Sequence, residues 1–156
     1  MNMKDAPMNI TSLLRAAMAG LSIGLFTATC AAQTTSADDA LYQAFGGQRG
    51  LTVLVDDFVA RLLKDERMAP FFKEADLKNL RSKLVTQFCQ VAGGPCRLEK
   101  PDMKKPHAGQ DIRMADFNAV VEVLQQAMDA QGIAFGTQNQ LLALLAPMHR
   151  AIVNVP

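Results

Sequence analysis

The spacing of apolar residues constrains this chain more than any other feature, because it repeats at the period of an α-helix and no stretch alternates at the period of a strand. Leu51, Leu54, Val55, Phe58 and Leu62 fall at i, i+3, i+4, i+7 and i+11, one stripe along a single helix face. Leu77, Leu80, Leu84, Phe88 and Val91 form a second stripe, with Asp76 before it as the expected N-cap and Gly93, Gly94 and Pro95 behind it as its stop. A third stripe runs through Phe117, Val120, Val121, Leu124 and Met128 and is closed by Gly132. The fourth comprises Leu141, Leu144, Leu145, Met148 and Ile152, with Pro147 inside it, where the missing N–H and the ring should bend the helix. Amphipathic helices bury such stripes against one another, so an all-α domain is the expected fold class.

Residues 1–32 follow a different logic. Lys4 and Arg15 precede an uncharged, mostly apolar run from Ala16 to Phe26, and the small residues Thr27 to Ala32 come next. This is the pattern of a secretory signal peptide. The apolar run falls short of the roughly 20 residues that span a bilayer, so no transmembrane anchor is expected in the mature form. Cleavage after Ala32 would leave a polar linker, 33–38, and a domain over 39–156. Cys30 stands as an alternative mature N-terminus carrying a lipid anchor. Export, with the periplasm as the expected destination, would place Cys89 and Cys96 in an oxidising compartment, with six residues between them around a Gly-Gly-Pro turn. A disulfide is expected there, worth roughly 2–3 kcal/mol by loop closure, with two separate buried thiols as the alternative. No C-x-x-C spacing supports a thiol-redox role.

Charge and composition narrow the function. Sixteen Lys and Arg against fifteen Asp and Glu leave a net charge of +1, without the excess that nucleic-acid backbones or anionic membranes attract. Trp is absent and Tyr42 is the single tyrosine, so the aromatic platforms of single-strand binders are missing as well. Two histidines and three cysteines show no spacing for a four-ligand protein metal site. What stands out is the polar stretch Arg97 to Arg113, with Pro101 and Pro106, which reads as one long structureless loop presenting His107, with Met103 four residues before and Ile112 five after. Loops of such length in small domains are often functional. Spacing leaves His107 open between a ligand and a solvated loop residue, while His149 reads as a surface residue of the last helix.

Leu41-Tyr42, Gly46-Gly47, Val55-Asp56-Asp57-Phe58, Pro70-Phe71-Phe72, Gly93-Gly94-Pro95, Met103-Lys104-Lys105-Pro106-His107-Ala108-Gly109 and Leu144-Leu145-Ala146-Pro147-Met148 occur in that order, and together they resemble the group I truncated haemoglobins over roughly 39–154. The resemblance implies a shortened globin, two helix pairs sandwiching one haem b, with the helix before the proximal histidine reduced mostly to loop. It makes His107 the proximal iron ligand. Phe72 would pack on the haem face, Phe58, Val59, Leu80, Leu84 and Phe88 would line the distal side, and Met103, Ile112, Phe117 and Val121 would wall the proximal and inner side. Val59 stands where many members carry an oxygen-binding tyrosine and Leu84 where others carry a glutamine, which implies an unusually apolar distal pocket. Gln87, one turn beyond, has a helical phase that points partly away. Lys83 matches the position from which some members supply a sixth iron ligand; a contact to a haem propionate is its other reading. The implied function is binding of a diatomic ligand, oxygen with NO or CO as further candidates. The alternatives are a haem redox enzyme (nitric oxide dioxygenase, peroxidase-like or electron transfer) fed by an unknown reductant, and a haem-free helical interaction module. The apolar distal side argues for ligand binding ahead of enzymatic turnover.

Overall fold

The computed structural model describes residues 39–99 and 102–156; the export segment, Cys30 and the linker lie outside the described residues. Helices α1 (Ala40–Ala44), α2 (Gly47–Leu62), α3 (Leu77–Val91), α4 (Lys104–His107), α5 (Met114–Ala130), α6 (Phe135–Leu145) and α7 (His149–Ile152) are joined by short 3-10 turns at Ala69–Phe72 and Ala146–Met148. Among the described residues there is no strand, and no helix is long and apolar enough to cross a membrane. The arrangement is all-α, with α2 against both α3 and α5 and α6 against α1, α3 and α5.

Helix α2 is the centre of the core because its stripe has no exposed side. Leu51, Leu54, Val55, Phe58 and Leu62 are all 3% exposed or less. Its entry is tight. The chain folds back from α1 so closely that a Cβ built on Gly50 would lie 1.8 Å from the Phe45 carbonyl oxygen; a hydrogen at that position is the only substituent that fits. At the same entry, the Tyr42 amide donates to the Ala92 carbonyl at 3.0 Å, tying α1 to the end of α3.

Helix α3 begins as its sequence demands. Asp76 Oδ1 accepts the amides of Lys78 and Asn79, each at 3.1 Å, satisfying two donors of the first turn. Its buried face is not the expected stripe, however. Val85, Phe88 and Cys89 are buried, together with Ala92 at the C-cap, whereas Leu77, Leu80, Leu84 and Val91 are only half-covered. Only the C-terminal half of α3 is sealed against the core, and the rest leaves an apolar flank.

Helix α5 shows the same division. Ala119, Val123, Leu124, Ala127 and Met128 are buried, while Phe117, Val120 and Val121 are half-covered. The two alanines carry too little side chain to register in a periodicity reading, yet small residues let neighbouring helices approach closely. The Asp116 carboxylate accepts the Arg113 amide at 2.8 Å and caps the start of the helix. In α6, Gln138 is buried, and its Nε2 donates to Asp129 Oδ1 and to the Ile133 carbonyl, both at 2.8 Å, locking the turn from α5. Leu144 departs from its expected core position and is 46% exposed. Where Pro147 falls, the helix gives way to the 3-10 turn and restarts as α7.

Between α2 and α3, Arg67 joins the connection to α5. Its guanidinium meets Glu122 at 2.7 Å and Asp65 at 2.8 Å. The hydrogen bond from Arg67 holds the Asp65 carboxyl below its ordinary value of 3.8. Cys89 and Cys96 are joined by a disulfide with Cα atoms 5.7 Å apart, so the end of α3 is covalently tied to the start of the long connection.

Candidate functional site

The long connection is less structureless than its prolines suggest. Asp102 Oδ1 accepts the amides of Lys104 and Lys105 at 3.0 and 3.3 Å, which starts the single turn α4 and makes His107 its last residue. His107 is half-buried, and its Nδ1 hydrogen-bonds the Met103 carbonyl oxygen four residues earlier. A carbonyl oxygen can only accept, so Nδ1 carries a proton, and in the neutral ring Nε2 then presents a bare lone pair. No protein hydrogen bond uses Nε2 among the described residues. A neutral imidazole held by its other nitrogen is the form that binds metals.

The residues after His107 turn sharply. Ala108 is extended, Gly109 has φ +75°, and Asp111 has φ +51°, a left-handed conformation that costs a residue with a Cβ roughly 1–2 kcal/mol. Ile112, 7% exposed, anchors the far end of this loop. The segment after α7 returns here. Asn154 Nδ2 donates to the His107 carbonyl at 2.7 Å, the Ile112 amide donates to Asn154 Oδ1 at 2.8 Å, and the Asn154 amide donates to the Ile112 carbonyl at 3.0 Å.

Helix α3 supplies the second group of candidate residues. Leu80 and Leu84 are half-buried, and Lys83, one turn from Leu80 and Gln87 on the same side of the helix, is exposed. Arg81 pairs with Asp56 at 3.2 Å, whereas Lys83 makes no ion pair among the described residues. Phe58 and Phe88 pack with ring centroids 6.4 Å apart, and Val59 is 1% exposed. Gln87 does not simply point away: its Nε2 donates to Met148 Sδ at 2.9 Å.

The expected lining residues therefore divide. Phe58, Val59, Phe88 and Ile112 are sealed in the protein, while Phe72, Leu80, Leu84, Met103, Phe117 and Val121 remain half-covered. His149 corrects the surface reading: it is half-buried, its Nδ1 bonds the Ala146 carbonyl at 2.7 Å, and its ring meets Phe117 edge-on at 6.1 Å. The segment from Ala146 to Ile152 thus meets α3 through Met148, α5 through His149 and α4 through α7, bringing the His107 turn and the α3 flank to a common neighbour. Met148 and Asn154 have no signal in the sequence that marks their partners, because those contacts join residues 61, 47 and 42 positions apart. Among the described residues no group of three or more His, Cys, Asp or Glu could hold a metal ion.

The all-α fold holds two half-buried histidines, His107 and His149, each with Nδ1 on a backbone carbonyl, in a molecule that leaves apolar side chains of α3 and α5 half-covered. The sequence matches the family described as Bacterial-like globin over residues 40–154, and the chain belongs to that family. It is 33% identical over 108 residues to the group 1 truncated hemoglobin GlbN of Mycolicibacterium paratuberculosis, covering 69% of this chain and 79% of that one. To the group 1 truncated hemoglobin GlbN of Nostoc sp. it is 31% identical over 114 residues, covering 73% and 97%. The solved structure of Chlamydomonas reinhardtii THB1 is similar at a TM-score of 0.64 and 28% identity, covering 74% of this chain and 98% of that one. The crystal structure of truncated hemoglobin from Tetrahymena pyriformis in its Fe(III) form has a TM-score of 0.70 at 22% identity, a likeness of fold, covering 73% of this chain and 97% of that one. Membership of this family implies a haem cofactor and a gaseous ligand.

Proposed function

We propose that the protein is an exported haem b protein that binds a diatomic ligand, oxygen first, at iron held by His107. The observation that carries the reading is the half-buried His107 ring, with Nδ1 committed to the Met103 carbonyl and Nε2 left as a lone-pair donor. The residues fit a porphyrin. Leu80, Leu84, Phe72, Met103, Phe117 and Val121 leave apolar surface that the protein itself does not cover, and a flat apolar macrocycle is the kind of group that would cover it. The chain has no C-x-x-C-H attachment motif, which favours a non-covalent haem b.

When bound, haem supplies an iron centre with an open coordination position for a small ligand. The chain's own residues do the rest. His107 donates its Nε2 electron pair, and the Met103 carbonyl fixes the ring's tautomer and rotation. The apolar side chains exclude water. Val59 and Leu84 offer no hydrogen-bond donor at the positions where relatives carry tyrosine or glutamine, so a polarised ligand is held only by the iron. Lys83 has two roles open to it, a contact to a haem propionate or, after its ammonium loses a proton, a sixth ligand. A low-spin ferric spectrum that Lys83→Ala converts to high spin would identify the ligand role, and a ferric spectrum unchanged in the variant would leave the propionate role alone.

Reconstitution with haem, followed by spectra of the ferric, ferrous and ferrous-CO forms, tests the main reading. A Soret band is expected, and His107→Ala should lose it or lose its histidine-ligated character. A variant spectrum identical to the parent's would overturn the assignment. The export reading draws on the segment 1–32 and on the Cys89–Cys96 disulfide, which needs an oxidising compartment. The mass of the mature chain distinguishes a start at Gln33 from a lipidated Cys30 and from no cleavage.

A further inference from the structure

One carboxamide spans both ends of the loop that leads from His107, the last residue of α4, to Ile112. Asn154 Nδ2 sits 2.7 Å from the His107 carbonyl oxygen and Asn154 Oδ1 sits 2.8 Å from the Ile112 amide nitrogen. The orientation of the group is not arbitrary: turned over, it would set oxygen against the carbonyl and NH2 against an N–H, and both contacts would be repulsive. The Asn154 and Val155 amides add bonds to the Ile112 carbonyl at 3.0 and 3.3 Å. Within the bracketed loop, Asp111 sits at φ +51° and Gly109 at φ +75°, conformations that persist only where the surroundings hold them. The loop's own sequence offers little to do so. The Gln110 side chain donates to the Pro106 carbonyl at 3.0 Å and the Gln110 amide reaches the His107 carbonyl only at 3.4 Å, both at the α4 end of the loop. An extended segment arriving from α7, packed against α4, therefore supplies the hold.

We propose that Asn154 is a positioning residue for His107, setting the height and rotation of the imidazole through the His107 main chain and Ile112. The inference rests on His107 being the iron ligand. The ring has two restraints: Nδ1 is tied to the Met103 carbonyl on its N-terminal side, and the His107 carbonyl is tied to Asn154 on its C-terminal side. Removal of the second leaves the His107 carbonyl with only the long Gln110 amide bond, and the ring held chiefly by its own helical turn. A ligand free to tilt bonds the iron less uniformly and releases the cofactor sooner.

Three variants of the reconstituted protein separate the possibilities. Asn154→Ala removes both bonds of the carboxamide. Asn154→Asp retains the acceptor for the Ile112 amide and loses the donor to the His107 carbonyl. His107→Ala tests the underlying assignment. The specific readout is the iron–histidine stretching band in resonance Raman, recorded just after photolysis of the ferrous CO form, so that the resting coordination number does not matter. Both Asn154 variants should shift or broaden this band, and haem transfer to excess apomyoglobin should speed up by roughly tenfold. Hydrogen exchange at the Ile112 amide should quicken in Asn154→Ala and stay slow in Asn154→Asp. An unmoved band, with haem transfer within about twofold of the parent, overturns the positioning role while His107→Ala still abolishes histidine ligation. Retention of the parental band in His107→Ala instead removes the assignment on which the role depends.

Discussion

Cutting the link between Cys89 and Cys96 should lower the stability of the domain by an amount set almost wholly by the unfolded chain. The cysteines are seven positions apart in sequence, and their Cα atoms lie 5.7 Å apart at the end of α3. Closing a ring of that size removes about 2.5 kcal/mol of denatured-state entropy in the loop-closure model. Unfolding releases about 2.1 cal/mol/K per residue, or roughly 0.25 kcal/mol/K for a domain of about 120 residues, so the melting temperature should fall by about 10 °C. Reduction of the parent protein is the cleaner perturbation, because Cys89 is fully buried and Cys89→Ala would add the loss of its packing. Differential scanning calorimetry with and without reductant, alongside the Cys96→Ser variant, supplies the measurement. Tyr42, Phe88 and Ala92 pack in the same core as Cys89, and the Tyr42 amide bonds the Ala92 carbonyl, so the folded end of α3 should survive reduction and the far-ultraviolet circular dichroism spectrum at 25 °C should be unchanged. A fall of less than about 3 °C, or a lost native spectrum on reduction, would refute the reasoning: the first would mean that the unfolded chain is already compact there, the second that the bond shapes the native state.

Three other substitutions probe different layers of the structure. Leu84→Gln places a donor on the half-buried flank of α3 and should slow oxygen dissociation roughly tenfold or more while leaving CO dissociation within about twofold, by stopped-flow ligand replacement; equal effects on both ligands would mean that the side chain acts by bulk and not by hydrogen bonding. Gly50→Ala forces a Cβ to within 1.8 Å of the Phe45 carbonyl oxygen and should cost about 3 kcal/mol or more, seen as a lowered urea midpoint with an unchanged slope. Asp65 has its pKa depressed by the hydrogen bond from Arg67, so its contribution is present above its ordinary value of 3.8 and is lost as pH falls through the lower folded value. Asp65→Asn should therefore melt below the parent at neutral pH and converge with it in strong acid; a gap that persists undiminished at low pH would mean that the charge is not the cause.

Much of this molecule is legible in its amino-acid order because helices are local objects. The start of α3 at Leu77 follows from Asp76, whose carboxylate reaches amides two and three residues on. The break near Pro147 follows from the ring, and the α2 stripe is buried along its whole length, as a helical apolar period predicts for one face, while Gln48, Thr52, Val53 and Asp56 lie on the exposed side. His107 could be singled out by its place in a long polar connection, and the resemblance of the surrounding motifs assigned it a role that spacing alone left open.

Tertiary structure decided which parts of each stripe are sealed and what holds the candidate ligand. Leu84 and Phe88 are four residues apart on one helix, and sequence cannot say that one is half-covered and the other closed into the core, because that depends on where α2 ends its contact with α3. Ala119 and Ala127 are core residues through close helix approach and not through their own hydrophobicity. Gln87 with Met148, Phe117 with His149, and Asn154 with His107 and Ile112 are contacts between residues separated by many turns of chain. A hydrogen bond between such partners leaves no periodic trace, since each partner alone has the composition of an ordinary surface position. The local code therefore determined the helices and the turn that ties His107 to the Met103 carbonyl, whereas the packed chain alone could bring Asn154 to the loop beyond it.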